Sequence, residues 1–338
     1  MKRLRIIALI ALSIVIFSCQ KVFLGKDPEN TPRSNFESLW NTIDKKYSFF
    51  DYKHIDWDSI YNVYSPQVNN SLDNLKLFNI FFKMLSDLRD AHVNLVAPFN
   101  ISRYESIFTE SPVNYDETLV SIHYLRSDYF ITGPFKHQFI ENGTIGYIRY
   151  ASFANYFSAS DVDFMINRFK DTKGIIIDVR NNGGGYISDL ETLCSRFCDR
   201  RQVIYISIVK NGPKHNDFST PEKVYISPSS FTYSKPVCVL TNRGSYSATS
   251  FFVLAMRNFP NVTIVGDSTG GGLGAPTGAE LPNGWYYRFS STQTLSPIGE
   301  NFENGVPPDI LVDMKSTDLQ RGIDTIIETA IEKILSKS

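Results

Sequence analysis

Two apolar runs that each end in a tight turn and reopen as a helix constrain this chain more than anything else in it. Val237-Cys238-Val239-Leu240-Thr241 reads as a buried strand and Asn242-Arg243-Gly244 as a turn; Ala248, Phe251, Phe252, Ala255 and Met256 then recur at one-face helical spacing. Upstream, Ile175-Ile176-Ile177-Asp178-Val179-Arg180 runs through Asn181-Asn182-Gly183-Gly184-Gly185 into a helix with Ile187, Leu190, Cys194 and Phe197 on one face. Strands alternating with helices predict a layered α/β core. Ser247 stands at the mouth of one unit, beside free helical N–H groups, where a hydroxyl can act as a nucleophile and the amides can hold an oxyanion. The other unit offers bare backbone donors, because its adjacent glycines leave the amides uncovered and permit positive φ.

Length and charge narrow the class. The 338 residues suffice for a large core and two units, and a net charge of −1 argues against a nucleic-acid partner. At the N-terminus, Met1-Lys2-Arg3-Leu4-Arg5 precedes an apolar stretch from Ile6 to Phe17 that is too short to span a bilayer. It ends in Ser18-Cys19, which resembles a bacterial lipobox, so residues 1–19 are expected to be a lipoprotein signal with Cys19 as the lipidated residue. Residues 20–33 read as a polar tether. That predicts a cell-envelope location, lipid-anchored and periplasmic or surface-exposed, with membrane contact through the lipid alone. Cys194 and Cys198 lie one turn apart on a predicted helix and Cys238 lies in a strand; they read as small buried residues, with a disulfide between Cys238 and one of the pair as the alternative. No metal-ligand spacing is present, and no cofactor is expected.

The rest of the chain divides by pattern. Residues 34–96 read as a small helical domain. Ser34 and Glu37 have capping-box spacing, Phe36, Leu39, Trp40, Ile43 and Tyr47 share a face, and a later helix carries Leu75, Phe78, Phe82 and Leu85. That helix ends near His92, after which Val93 to Val96 alternate like a strand. Residues 97–142 are a linker or β segment, and residues 143–338 form the core. Ser160 is the expected N-cap of a helix bearing Val162, Met165, Ile166 and Phe169. Leu281-Pro282-Asn283-Gly284-Trp285 reads as a hairpin turn.

Five ordered motifs carry a resemblance. They are Gly146-Tyr147-Ile148-Arg149, Ile177 to Gly185, Thr241 to Ala248, Val265 to Gly272, and Gly305-Val306-Pro307-Pro308-Asp309-Ile310. Together they resemble the S41 serine peptidases, the C-terminal-processing and tricorn-type family. The resemblance implies a crotonase-like (ClpP/crotonase) α/β fold of ββα units. It implies Ser247 as nucleophile, with oxyanion donors at Ala248 and at Gly184 or Gly185, and a peptide or protein as substrate. Processing members use a lysine base where this chain has Gly272. Tricorn-type members use an upstream histidine, which His92 resembles, supported by a serine and a glutamate. Ala91 stands at the serine position; Glu303 is the expected glutamate and Glu300 the alternative. Ser250 replaces a glutamate common after the nucleophile. Residues 97–142 are too few for the PDZ domain of many processing members.

The chemistry follows from these residues. Serine needs a base within hydrogen-bond reach, imidazole titrates near neutrality, and a carboxylate fixes its tautomer. The alternative is a weak or inactive envelope lipoprotein of this fold that binds peptides or apolar ligands. An α/β-hydrolase esterase is disfavoured because His92 precedes Ser247. Oligomeric state is not legible.

Overall fold

The structure, a computed structural model, describes residues 29–336, so the signal, Cys19 and most of the tether lie outside the described residues. In chain order the strands are β1 (Asn94–Ala97), β2 (Asn100–Ile101), β3 (Phe130–Thr132), β4 (Phe135–Ile140), β5 (Ile145–Tyr150), β6 (Gly174–Asp178), β7 (Gln202–Val209), β8 (Glu222–Ile226), β9 (Val237–Thr241), β10 (Val262–Gly266), β11 (Pro276–Glu280), β12 (Tyr286–Ser290), β13 (Thr292–Leu295) and β14 (Ile310–Leu311). Seven of them make the central mixed sheet, in the order β14-β10-β9-β6-β5-β4-β3. The run from β14 to β5 is parallel, and β4 and β3 continue it antiparallel.

The α/β expectation holds, and the strand sequences show why. A parallel sheet is covered on both faces, so its strands are mostly apolar and successive side chains feed opposite layers. Ile175, Ile177, Val237 and Val239 enter one core with the helices Ala159–Arg168, Ser188–Cys194 and Ala248–Met256. Ile176, Cys238 and Leu240 enter the other with the closing helix Thr325–Leu335. Each such fully buried aliphatic side chain is worth about 1.5–3 kcal/mol. All nine residues of Ala248–Met256 are buried, so the helix behind Ser247 is clamped on every side. Cys194 and Cys198 lie in the first core and Cys238 in the second, with the sheet between them.

The helical N-terminal segment packs around a second aromatic core. Phe36, Leu39, Trp57, Phe78 and Phe81 meet Leu281, Trp285, Tyr287 and Phe289 from the β11–β12 hairpin. That hairpin joins β1 and β2 in a four-stranded sheet of order β11-β12-β1-β2. The helical unit therefore borrows a wall from a segment lying about 190 residues later, a pairing invisible to local pattern.

Three local expectations need correction. The first helix is Pro32–Lys46, capped by Thr31, whose hydroxyl accepts from the Ser34 N–H; Pro32 at the first helical position moves the start ahead of Ser34. The Ala159–Arg168 helix is capped by Ser158 in a reciprocal box with Asp161, not by Ser160. In the helix Asn74–Ser86 the buried face is Leu77, Phe78, Phe81, Met84 and Leu85, while Leu75 is exposed.

Candidate active site

The two loops read from the sequence lie side by side at the C-terminal ends of the adjacent strands β6 and β9. They are tied to each other by hydrogen bonds. The Asn181 N–H donates to the Asn242 Oδ1 (2.9 Å), and the Asn242 amide returns a bond to the Asn181 Oδ1 (2.7 Å). The Tyr246 N–H donates to the Asn182 carbonyl at 3.0 Å and the Ser245 hydroxyl to the Val179 carbonyl at 2.8 Å. Below them the fully buried Arg180 bridges Asp178 and Asp324. A buried guanidinium between two carboxylates is costly to break, so it holds the start of the glycine loop in place.

Ser247 is half-buried, with φ 57° and ψ −124°, a conformation that L residues with a side chain rarely adopt. Its hydroxyl makes no helix-cap bond. Instead the Oγ lies 2.9 Å from the His92 Nε2 across 155 residues of sequence. The strained turn aims the hydroxyl away from the helix and at the imidazole. With Ser247 donating, the ring proton belongs on Nδ1, the tautomer a general base requires.

His92 is buried, and burial pulls its pKa from the ordinary 6.5 down to about 4. The Asp90 charge and the Gly274 carbonyl oppose this shift, while Arg288 and Lys53 add to it. At neutral pH the ring is therefore an uncharged proton acceptor. The Nδ1 is buried without a hydrogen bond of good geometry; the Gly274 carbonyl favours the protonated ring but falls short of one.

Glu303 is buried behind the site but makes no hydrogen bond to His92. Its Oε2 accepts the Leu273 N–H at 2.7 Å, and Lys53 lies 3.7 Å from Oε1. The expected carboxylate thus braces the loop that presents Gly274 to the imidazole. Burial, with the nearby Asp90 charge, pushes its pKa up to about 8, so it holds a proton at pH 7. Glu300 bonds within its own turn, through Ser296.

The carboxylate nearest His92 in sequence is Asp90, which the motif reading passed over. It accepts the His92 main-chain N–H at 2.8 Å, the Tyr47 hydroxyl at 3.2 Å and the Ser290 hydroxyl at 2.9 Å. Burial works against its charge, but Lys53 and these donors hold its pKa below the ordinary range. An acid two residues before the histidine was the available signal. Tyr246 was also missed. Its ring lies against His92, with centroids 4.9 Å apart.

Of the expected oxyanion donors, no acceptor is found for the Ala248 N–H among the described residues. The Gly184 N–H is already donated to the Asn182 Oδ1 at 3.0 Å, so of the two expected glycines Gly185 is the one whose N–H has no acceptor among the described residues, and it lines the cleft together with Gly183. Gly184 has its own reason to be glycine: at φ +93°, a Cβ would sit 2.8 Å from the Ala248 nitrogen.

Two departures from the family pattern have physical reasons. A Cβ at Gly272 would lie 2.4 Å from the Tyr246 ring at a φ of +72°, so a lysine where processing members carry one would require that ring to move. Ser250 donates to the Thr269 hydroxyl at 2.9 Å, and that oxygen accepts the Val306 N–H at 3.0 Å. The loop after β10 is thereby held without the usual glutamate.

Ser247, His92 and Gly185 open into a cavity of about 620 Å³ with Phe108, Ile187, Phe251, Pro276 and Arg288 on its walls. Among the described residues no group of three or more His, Cys, Asp or Glu side chains converges as a metal site would require.

Comparison with known proteins places the chain in a family. The profile of peptidase family S41 matches residues 144–312, and that of the tricorn protease C1 domain matches residues 28–86. A carboxy-terminal processing protease, CtpB of Bacillus subtilis (strain 168), is 28% identical over 179 residues, which is 51% of this chain and 35% of that protein. The chain spans about a third of the length of the curated relatives it matches. A crystal structure of a candidate peptidase from Parabacteroides merdae is 42% identical, covers 92% of this chain and 98% of its own, and superposes with a TM-score of 0.89. Mature CPAF shares the fold at 13% identity, with a TM-score of 0.67 over 91% of this chain and 98% of its own. With a family profile across its core and a solved relative along nearly its whole described length, the chain belongs to peptidase family S41.

Proposed function

We propose that this chain is a serine endopeptidase that hydrolyses peptide bonds through an acyl-enzyme on Ser247. The observation that carries this reading is the 2.9 Å approach of the His92 Nε2 to a serine hydroxyl held in a strained turn. Ser247 Oγ attacks the scissile carbonyl carbon as its proton passes to Nε2. The carbonyl oxygen, now negative, meets the N–H groups of Ala248 and Gly185. His92 returns the proton to the departing amine. A water molecule then repeats the sequence on the ester and frees Ser247. The imidazolium formed in between is stabilised by the Asp90 charge and the Gly274 carbonyl.

The substrate class is peptide or protein. Cys19 as a lipid attachment point at the cell envelope is part of the same proposal, supported by the apolar run and the Ser18-Cys19 junction.

A fluorophosphonate probe tests the chemistry. Labelling should require both Ser247 and His92, and a mixed peptide library should be cleaved by the parent and not by Ser247→Ala. Equal cleavage by the mutant sinks the assignment. The weakly partnered Nδ1 favours one competing reading, a peptide-binding protein without turnover. Well-folded parent protein that binds library peptides and takes no label selects that reading.

A further inference from the structure

We propose that Arg288 selects a substrate carboxylate on the leaving-group side of the scissile bond, an assignment that rests on the hydrolase reading of Ser247. Strand β12 alternates, so Tyr287 and Phe289 enter the helical core while Tyr286 and Arg288 project from the open face of the small sheet. The cross-strand partner of Arg288 is Asn94. The Arg288 Nε donates to the Asn94 Oδ1 at 2.7 Å, and the Asn94 amide donates to the Ser102 carbonyl at 3.1 Å. The guanidinium is thus held by its stem side, and its two terminal nitrogens have no acceptor among the described residues.

No carboxylate of the described residues lies within ion-pair distance of Arg288. Yet it lines the Ser247 cavity, where His92 is the other ionisable base and the remaining walls include Phe108, Ile187, Phe251 and Pro276. A guanidinium fork beside apolar walls matches a carboxylate in two parallel bonds, a geometry few other ligands satisfy. The side follows from the chemistry. His92 hands its proton to the departing amine, so the leaving fragment lies against the imidazole. Arg288 sits on that side, because its strand partner Asn94 lies two residues after His92. Beyond it the groove continues into a second cavity of about 460 Å³ that shares Ala91, Phe108 and Arg288 and is lined by Val96, Ile101 and Tyr286 and by the Arg103–Glu105 pair, whose charges lie 4.0 Å apart. A short leaving segment has a bed of apolar and charged side chains there, with Arg103 already engaged by Glu105.

The carboxylate has two possible sources, a chain terminus and an Asp or Glu side chain. The test therefore uses two peptide pairs with the full-length protein. One pair differs by a free or amidated C-terminus one to three residues past the cleaved bond. The other is amidated and carries Glu or Gln at the first or second position past it. The parent should prefer the carboxylate member of one pair by about tenfold in kcat/KM, the scale of one charge-assisted hydrogen-bond pair. Arg288→Met should bring that ratio close to one, and Arg288→Lys should keep part of it. Because each ratio is read within one variant, loss of folded protein cancels. A parent that takes the fluorophosphonate label but shows no preference in either pair overturns the role of Arg288 and leaves the hydrolase reading standing. An Arg288→Met ratio equal to the parent's does the same. A parent that neither takes the label nor cleaves any peptide overturns the hydrolase reading and this assignment with it.

Discussion

The Ser247 half of the candidate site and the His92 half are built by different means. Ser247 and the glycine loop sit at the ends of neighbouring parallel strands and are fixed by loop-to-loop hydrogen bonds, above a buried Asp178–Arg180–Asp324 triad. His92 arrives from a separate aromatic core. It is pinned through its main chain to Asp90, with an Nδ1 that lacks a well-aligned partner. One half is over-determined and carries backbone strain. The other is positioned by a buried cluster of the charged Lys53 and Asp90 with the protonated Glu303. Strain persists only where surroundings enforce it, so the rigid half holds the unfavourable serine conformation and the charged half tunes the proton.

The sharpest break in that contrast is Ser247→Ala, which should lower kcat/KM by roughly 10⁴-fold or more while thermal unfolding shifts little. A large drop in Tm would mean that the hydroxyl is structural. Next, Asp90→Ala strips three donors of their acceptor and removes the nearby negative charge that Lys53 stabilises. It should cost about 3–5 kcal/mol in denaturant unfolding and reduce activity as well. If stability is kept, the base half does not depend on the charge cluster. Gly272→Ala forces a side chain into the Tyr246 ring at a φ of +72°, for an expected loss of about 1–3 kcal/mol together with weaker turnover through the displaced ring. A neutral result would show that Tyr246 is free to move away.

The pH profile sharpens the comparison without a mutation. Because burial lowers the His92 pKa to about 4, the acid limb of kcat/KM should reach half its plateau near that pH. A midpoint near 6.5 would mean that the ring is hydrated in solution. The same group affects stability. Unfolded chains take up the proton below 6.5 and folded ones below about 4, so His92 costs stability progressively as pH falls through that window. Glu303 acts in the opposite sense. The unfolded carboxyl ionises above 4.5 and the folded one above about 8, so its contribution declines as pH rises between those values. The smallest effect is expected for Ala91→Ser. Ala91 borders both the catalytic cavity and the smaller cavity beside Lys53 and Glu303, so a hydroxyl has room. A gain of about 2–5-fold in kcat/KM, the worth of one modest hydrogen bond, would support an under-oriented ring; no gain would mean that Gly274 suffices.

What the sequence made legible follows the same division. Val237–Thr241, the Gly183–Gly185 run and the buried helix after Ser247 were readable because buried parallel strands and tight turns leave local signatures. His92 was found through the motif pattern, since nothing within a few residues of it announces a partner 155 positions away. The role of Glu303 was misread because sequence order places it near the site but says nothing of which way the carboxylate turns. Cap positions shifted by two or three residues where Thr31 and Ser158 outcompeted Ser34 and Ser160. The sheet of β13, β7 and β8 was not anticipated, because β13 pairs with β7 from more than 80 residues away.

The loan of the β11–β12 hairpin to the N-terminal helices has a consequence for synthesis. Until Phe289 has left the ribosome, Phe78 and Phe81 lack the Trp285 wall they pack against. His92 is carried on β1's approach to that same wall, so the platform for the base closes only after the nucleophile's own strand and helix have been made. A nascent chain that has passed Ser247 but not yet Phe289 therefore carries its serine unarmed, and cutting the molecule between residues 97 and 142 should yield two pieces of which neither holds the complete candidate site.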